Sequence, residues 1–372
     1  MSFPRFSYGL ALLCAIQLAA AQEKPLTVGA VVAENAEYRK ALVLWQEEIS
    51  KSGGLLGRAV ELVLLDDGSQ TSRTGSLYAQ LVKRGTDLLI GPYGSAATLV
   101  AAAEAERARR VMVNGSGPAR AVHRRSPRYL FQVAAPYSAY GSGILELATG
   151  AGCARLMILG REDGASTEMA EGAQALARQA GPHEGYSGNQ SSFANLIEKA
   201  RGAGVQAWIA FGEVRDAADM VIGFRRSGYA PPVFFASATS QSQFRTFVGR
   251  DAEGSLGITR YDPRLGTPGN AAFVRAFTAR WSAAPDVAAA EGYAAATVLA
   301  EAVRRAGSLE QEALRAQLST MEADTVLGRY RVDPANGAQA GIRPAVTQIV
   351  KGRVEIVWPP NLKTAEPNLR CD

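Results

Sequence analysis

Short apolar runs alternate with amphipathic stretches along almost the whole chain, and that alternation restricts the fold more than any single motif. LTVGAVV (Leu26 to Val32) reads as a buried strand; EYRKALVLWQEEISKSG after it has helical spacing and stops at Gly53-Gly54. AVELVLLDD, TDLLIGP and RVMVNG read as further strands, with helices in SRTGSLYAQLVKRG and SAATLVAAAEAERAR between them. Such alternation implies a mainly parallel sheet covered by helices on both faces. The pattern restarts after RYLFQVAAPYSAYG. RLMILG and PPVFFAS read as strands, VQAWIAFG lies between them, and STEMAEGAQALARQAG, SSFANLIEKARGAG and VRDAADMVIGFRRSGY read as helices. Two α/β units in tandem follow, in keeping with the 372 residues available. Past ITRYDP come helices in NAAFVRAFTARW and AAAEGYAAATVLAEAVRRAG. Strands LGRYRV and AVTQIVKGRVEIVW close the pattern, with a hairpin turn at Lys351-Gly352.

The N-terminus reads as an export signal. Arg5 supplies a positive start, Tyr8 to Leu18 is mostly apolar, and Ala19-Ala20-Ala21 offers a small-residue cleavage site before Gln22. The apolar run is too short to span a membrane. Leu13 before Cys14 argues against a lipid anchor. The expected mature protein is soluble and periplasmic. Export permits a disulfide, and the two cysteines left, Cys153 and Cys371, are candidates for a bond tying the tail PPNLKTAEPNLRCD to the body. The alternative is one buried thiol and one in the tail.

Composition and motifs speak against several function classes. The net charge is +5, and the dense basic spots Arg107-Ala108-Arg109-Arg110 and His123-Arg124-Arg125 are not interleaved with aromatics, so no nucleic-acid partner is expected. Two histidines, His123 and His183, leave little for a Ser-His-acid triad. The G-x-S-x-G elbow, the Walker phosphate loop and a glycine fingerprint after the first strand are absent from the sequence. Zinc ligands at standard spacing are absent too. Neither a catalytic residue nor a cofactor nor a metal is assigned.

Ligands of open parallel sheets sit beyond the carboxyl ends of the strands. Those ends include VVAENAEY, LDDGSQ, GPYGS, NGSGP, LGREDG, FGEVRD and ASATSQ, rich in glycine, serine and acids. In LLIGPYGSAATLV a strand hands over to a helix at Ser95, where unpaired N–H groups make a natural seat for an anion. Asn114 and Ser116 belong to the next such loop.

Several phrases, in order, resemble one family. GGLLGRAVELVLLDD, LLIGPYGSAAT, RYLFQVAAP, FRRSGYAPPVFFAS, DAEGSLGITRYDP and FVRAFTARWSAAPDVAAAEGYAAATVLAEAVRRAG resemble, across nearly the whole mature chain, the bacterial extracytoplasmic binding proteins for branched-chain amino acids. The sequence also resembles, more weakly, a branch associated with quinone-dependent alcohol oxidation. The resemblance implies a type I periplasmic-binding-protein fold, a two-lobed α/β clamp joined by three crossovers. Expected boundaries are a signal peptide at 1–21, lobe 1 at 22–137 with 264–340, lobe 2 at 138–263 with 341–358, and a tail at 359–372. The implied function is capture of a small-molecule ligand for an inner-membrane ABC transporter permease, by a monomer. A ligand sensor, a carrier of an apolar or lipid-like ligand, and an exported enzyme are the alternatives.

The family's grip on an amino acid carries over in part. Ser95 aligns with the serine that binds the ligand carboxylate, and Tyr93 with the apolar neighbour two residues before it. Ser116 takes the place of a backbone-carbonyl contact, and Pro118 stands where a threonine belongs. Phe211 aligns with an aromatic that flanks the ligand. The acid that meets the ligand ammonium falls near Ser237 or Ala238, neither charged, with Glu213 as a substitute. Glu34 aligns roughly with a pocket aromatic. A buried ammonium without a partner costs several kcal/mol, so the expected ligand is not a standard free amino acid.

Overall fold

The computed structural model describes residues 24–33, 36–177, 183–188 and 192–371. The expected signal peptide, with Cys14, and Glu34 lie outside the described residues.

Five short strands build the first sheet: β1 (Leu26–Val31), β2 (Val60–Leu65), β3 (Leu88–Ile90), β4 (Met112–Asn114) and β5 (Leu130–Gln132). All pair in parallel, in the order β2-β1-β3-β4-β5, with Val28 opposite both Leu62 and Leu88. Helices α1 (Glu37–Lys51), α2 (Thr71–Lys83) and α3 (Ser95–Ala108) connect them. Leu26, Val28 and Ile90 are fully enclosed, as expected of strands covered on both faces. Burying each such side chain contributes about 1.5–3 kcal/mol.

The second lobe repeats the scheme. Helix α4 (Ser142–Gly150) enters it, and β6 (Leu156–Arg161), α5 (Gly164–Leu176), β7 (Glu184–Tyr186), α6 (Ala194–Gly202), β8 (Ala207–Phe211), α7 (Val214–Ser227), β9 (Val233–Ala236), α8 (Ser242–Val248) and β10 (Leu256–Thr259) follow. The chain then returns to the first lobe through α9 (Asn270–Trp281), α10 (Val287–Ala306), α11 (Gln311–Thr320) and a small ribbon of β11 (Ala323–Thr325) with β12 (Gly328–Tyr330). Last come β13 (Ala345–Val350) and β14 (Arg353–Trp358), an antiparallel hairpin turning at Lys351-Gly352, both at positive φ. The hairpin adds to the edge of the second sheet, whose order is β14-β13-β10-β9-β8-β6-β7. The chain thus passes between lobes three times: after β5, after β10 and after β12.

Helix α10 packs along α1 and against β3 and β4. Its sequence is apolar on nearly every face, so it is buried almost all round. Cys153 and Cys371 form a disulfide with Cα atoms 5.0 Å apart, holding the tail against the second lobe. Asn368 and Gln348 reinforce it with two reciprocal 2.9 Å hydrogen bonds.

Elements that the sequence reading did not assign include β5, α4, β7, α8, α11 and β11. The strands β7 and β11 are three-residue pieces, and α8 has seven residues, all too short for a periodicity. Helix α11 is mostly polar and is held by Leu314 and Leu318 alone on its buried face.

Candidate functional site

Each sheet reverses its strand order once, between β1 and β3 in the first lobe and between β6 and β8 in the second. The crevices beyond those strand ends are where such sheets receive ligands. In the first lobe the loop after β3 carries Tyr93, Gly94 and Ser95. Gly94, at φ 90°, lets the chain turn sharply into α3. The Ser95 hydroxyl accepts a 3.1 Å hydrogen bond from the Ala119 N–H, stitching this loop to the one after β4. Ser95 is half-buried and Tyr93 is exposed.

Asn114 is fully buried and braces the loop after β4. Its Nδ2 donates to the Thr98 Oγ1 and the Gln132 Oε1, both at 3.1 Å, and to the Ser116 carbonyl. Gln132 Nε2 donates to the same carbonyl at 2.8 Å. Asn114 therefore organises the loop from inside through its Nδ2, while its Oδ1 is buried with no hydrogen-bond partner among the described residues. Pro118 passes its carbonyl to the Tyr137 N–H at 3.0 Å, at the first crossover.

Phe211, the expected aromatic flank, is enclosed as well. It ends β8, a central strand with both faces covered, and is fully buried against Phe235 in an edge-on contact of 5.7 Å. It is core. Glu213 is exposed, but its carboxylate caps α7 in a reciprocal box with Asp216. The Ser237 hydroxyl is occupied by Gly212, accepting from its N–H and donating to its carbonyl, both at 3.1 Å. Asp216 also receives Arg161 Nη1 and the Tyr186 hydroxyl, each at 3.2 Å. Asp163 caps α5 through the Ser166 N–H. Asp163, Glu213 and Asp216 are thus engaged within the lobe.

The sequence reading missed the charge pair between the lobes. Arg260 is the first residue after β10, at the second crossover. Its Nη1 donates to Glu291 Oε1 at 2.9 Å, and its Nη2 reaches the Tyr93 hydroxyl at 3.3 Å. Glu291, in the second turn of α10, is 1% exposed, whereas the Arg260 side chain is 30% exposed. Burial raises the Glu291 carboxyl; the Arg260 charge and the Ser116 hydroxyl oppose that rise but leave it at about 7. Arg260 is pulled down by burial, yet Glu291 and the tyrosines around it hold it firmly charged. The Glu291 Oε2 and Tyr140 Oη are buried with no hydrogen-bond partner among the described residues. Tyr38 frames the group from α1, donating to the Gly91 carbonyl at 3.0 Å and packing edge-on against Tyr93 at 6.0 Å. One signal pointed there: an acid among the alanines of the apolar first half of α10 needs a partner.

Chain-wide similarity agrees with this architecture. A model of the family described as periplasmic binding protein matches residues 26–353. The chain belongs to that family. Members are binding proteins rather than enzymes. A curated relative from Pseudomonas aeruginosa, a leucine-, isoleucine-, valine-, threonine-, and alanine-binding protein, is 23% identical over 330 residues, covering 85% of this chain and 87% of its own. The structure of a putative branched-chain amino acid ABC transporter protein from Rhodospirillum rubrum superposes with a TM-score of 0.79 at 20% identity, covering 90% of this chain and all of that one. A solute-binding protein of an ABC transporter from R. palustris, in complex with benzoate, superposes at 0.66 with 17% identity, covering 94% of this chain and all of that one. The fold is that of type I periplasmic binding proteins. These matches reach the family and stop short of the alcohol-oxidation branch. No helix of the described residues is long and apolar enough to cross a membrane.

Proposed function

We propose that this protein captures a small organic solute in the cleft between its lobes, in the periplasm, and delivers it to an ABC importer of the inner membrane. The guest is not a free α-amino acid. The observation that carries this reading is how the acids near the cleft are used. Glu213 and Asp163 cap helices, Asp216 holds Arg161 and Tyr186, and Glu291 is buried against Arg260. Each of these carboxylates already has a partner within the protein, so an ammonium finds no uncommitted counter-charge among them. Ser95 and Tyr93 on the first lobe are the contacts the guest meets, and Ser116, 2% exposed with its hydroxyl toward Glu291, lies behind them. The benzoate complex of the R. palustris relative supports a family range that extends beyond amino acids. Closure follows from a guest that binds the closed form better than the open one.

A thermal-shift screen of the mature protein tests this reading, with amino acids, aromatic and aliphatic acids, alcohols and lipids as the panel. A guest at a hundredfold excess over its Kd adds about 2.7 kcal/mol of stability. A shift with leucine or isoleucine overturns the exclusion of amino acids. Turnover of a hit overturns capture without chemistry. Ser95→Ala weakens a carboxylated guest, and unchanged affinity removes Ser95 from the site.

A further inference from the structure

Arg260 sits where all the moving parts meet. It stands on the second crossover, touches Tyr93 of the first lobe, is gripped by Glu291 of α10, and lies beside Tyr140 at the start of the second lobe. Only one of these contacts is strong. The bond to Glu291 has ion-pair length, whereas the 3.3 Å contact to the Tyr93 hydroxyl lies past the usual range for N–H···O bonds. The Tyr93 side is also the side open to solvent, since Tyr93 is 43% exposed. The guanidinium is planar with five donors, a shape suited to a carboxylate. The buried Tyr140 hydroxyl faces the guanidinium, and its own O–H, which donates to no group among the described residues, adds a donor on the second-lobe side.

We propose that Arg260 is the specificity-determining residue of the cleft, seating an anionic group of the guest, a carboxylate by chemical class, and repelling a cationic one. This rests on the reading of the cleft as the guest site. The guest's carboxylate replaces the weak Tyr93 contact on Nη2 and takes the Tyr140 hydroxyl as a second donor. Glu291 is a positioning residue. It holds Nη1 from inside the lobe and sets how much of the arginine's charge the guest meets. With Glu291 ionised the pair is neutral overall; with Glu291 protonated the guanidinium faces the guest uncompensated. The groups around Glu291 are Arg260 from the crossover, Ser116 from the loop after β4, Tyr38 from α1, Tyr137 and Tyr140 from the turn before α4, and Asp286 capping its own helix. Burial holds the tyrosines neutral, and the arginine stays charged. Among these, Glu291 is the one raised to about 7.

The test is calorimetric titration of the mature protein with matched probes: benzoate against benzamide, and 4-methylpentanoate against its amide and against leucine. The acids are expected to bind at least about tenfold more tightly than their amides, as a charge-assisted contact requires. Arg260→Gln is expected to remove that preference, and Arg260→Lys to restore part of it. Benzoate affinity is expected to strengthen several-fold from about pH 8 to pH 6, as Glu291 gains its proton. Glu291→Gln is expected to bind benzoate at every pH as tightly as the wild type does at the acid end. That variant keeps the guanidinium, so it informs even where Arg260→Gln fails to fold. Equal binding of acid and amide, or an unchanged preference in a folded Arg260→Gln protein, overturns the proposal. If neutral solutes or leucine bind and the acids do not, Arg260 loses this role while solute capture stands. If no small solute binds at all, the reading of the cleft falls with it.

Discussion

Glu291→Gln offers the sharpest probe of the interlobe charge pair through stability alone, with no ligand present. The carboxyl is 1% exposed, and burial raises it from 4.5 to about 7 despite the charge of Arg260 and the Ser116 hydroxyl. A folded-state pKa above the unfolded one means that the native protein holds this proton more tightly. The stabilisation is therefore complete below about pH 4.5 and is lost as pH rises through about 7. Integrated between about pH 5 and pH 8, this group alone removes roughly 2–3 kcal/mol of stability. Glutamine has nearly the same shape and cannot titrate. Urea unfolding of both proteins at about pH 5, 6, 7 and 8 gives the difference in stability at each pH. That difference, wild type minus variant, should fall by about 2 kcal/mol from the acid to the alkaline end. A difference constant to within about 0.5 kcal/mol refutes the reasoning, because Glu291 would then titrate alike in the folded and unfolded chains.

Further perturbations have defined outcomes. Cys371→Ser opens a covalent loop between residues 218 apart in sequence and should cost about 2–5 kcal/mol, read as a lowered Tm; an unchanged Tm refutes it. Gly115→Ala places a Cβ about 2.3 Å from the Glu291 carbonyl oxygen, so it should destabilise by about 1–3 kcal/mol in thermal unfolding, and a neutral result would mean that α10 yields. Asp216→Asn removes the charge that Arg161 and Tyr186 share in the second lobe and should cost about 3 kcal/mol by denaturant titration; a loss under about 1 kcal/mol would show that Arg161 finds another partner.

Much of the fold was legible because each strand is a compact apolar run and each helix carries its own stop. Gly53-Gly54 closes α1, and the Lys351-Gly352 turn fixes the last hairpin. The seat at Ser95 was legible for the same reason: a strand, a glycine turn and a helix start are local facts. The rest of the site depends on distance in space. Arg260 and Glu291 lie 31 residues apart, in a crossover and a helix; each stands in a phrase of the family resemblance, but neither phrase says that the two side chains meet. Phe211 and Asn114 show the reverse limit. An aromatic at a strand end and an asparagine before a glycine look alike in sequence whether they face a guest or a core. Here the covered faces of β8 and the bonds to Thr98 and Gln132 turn both inward.

The hydrogen bond between the Ser95 hydroxyl and the Ala119 N–H has a mechanical meaning. Ala119 follows Pro118, whose carbonyl holds Tyr137 at the entrance to the second lobe. The mouth of α3 and the first pivot of the clamp are thereby fastened to a single short segment. A guest seated at Ser95, as proposed, would load that pivot through the same few atoms.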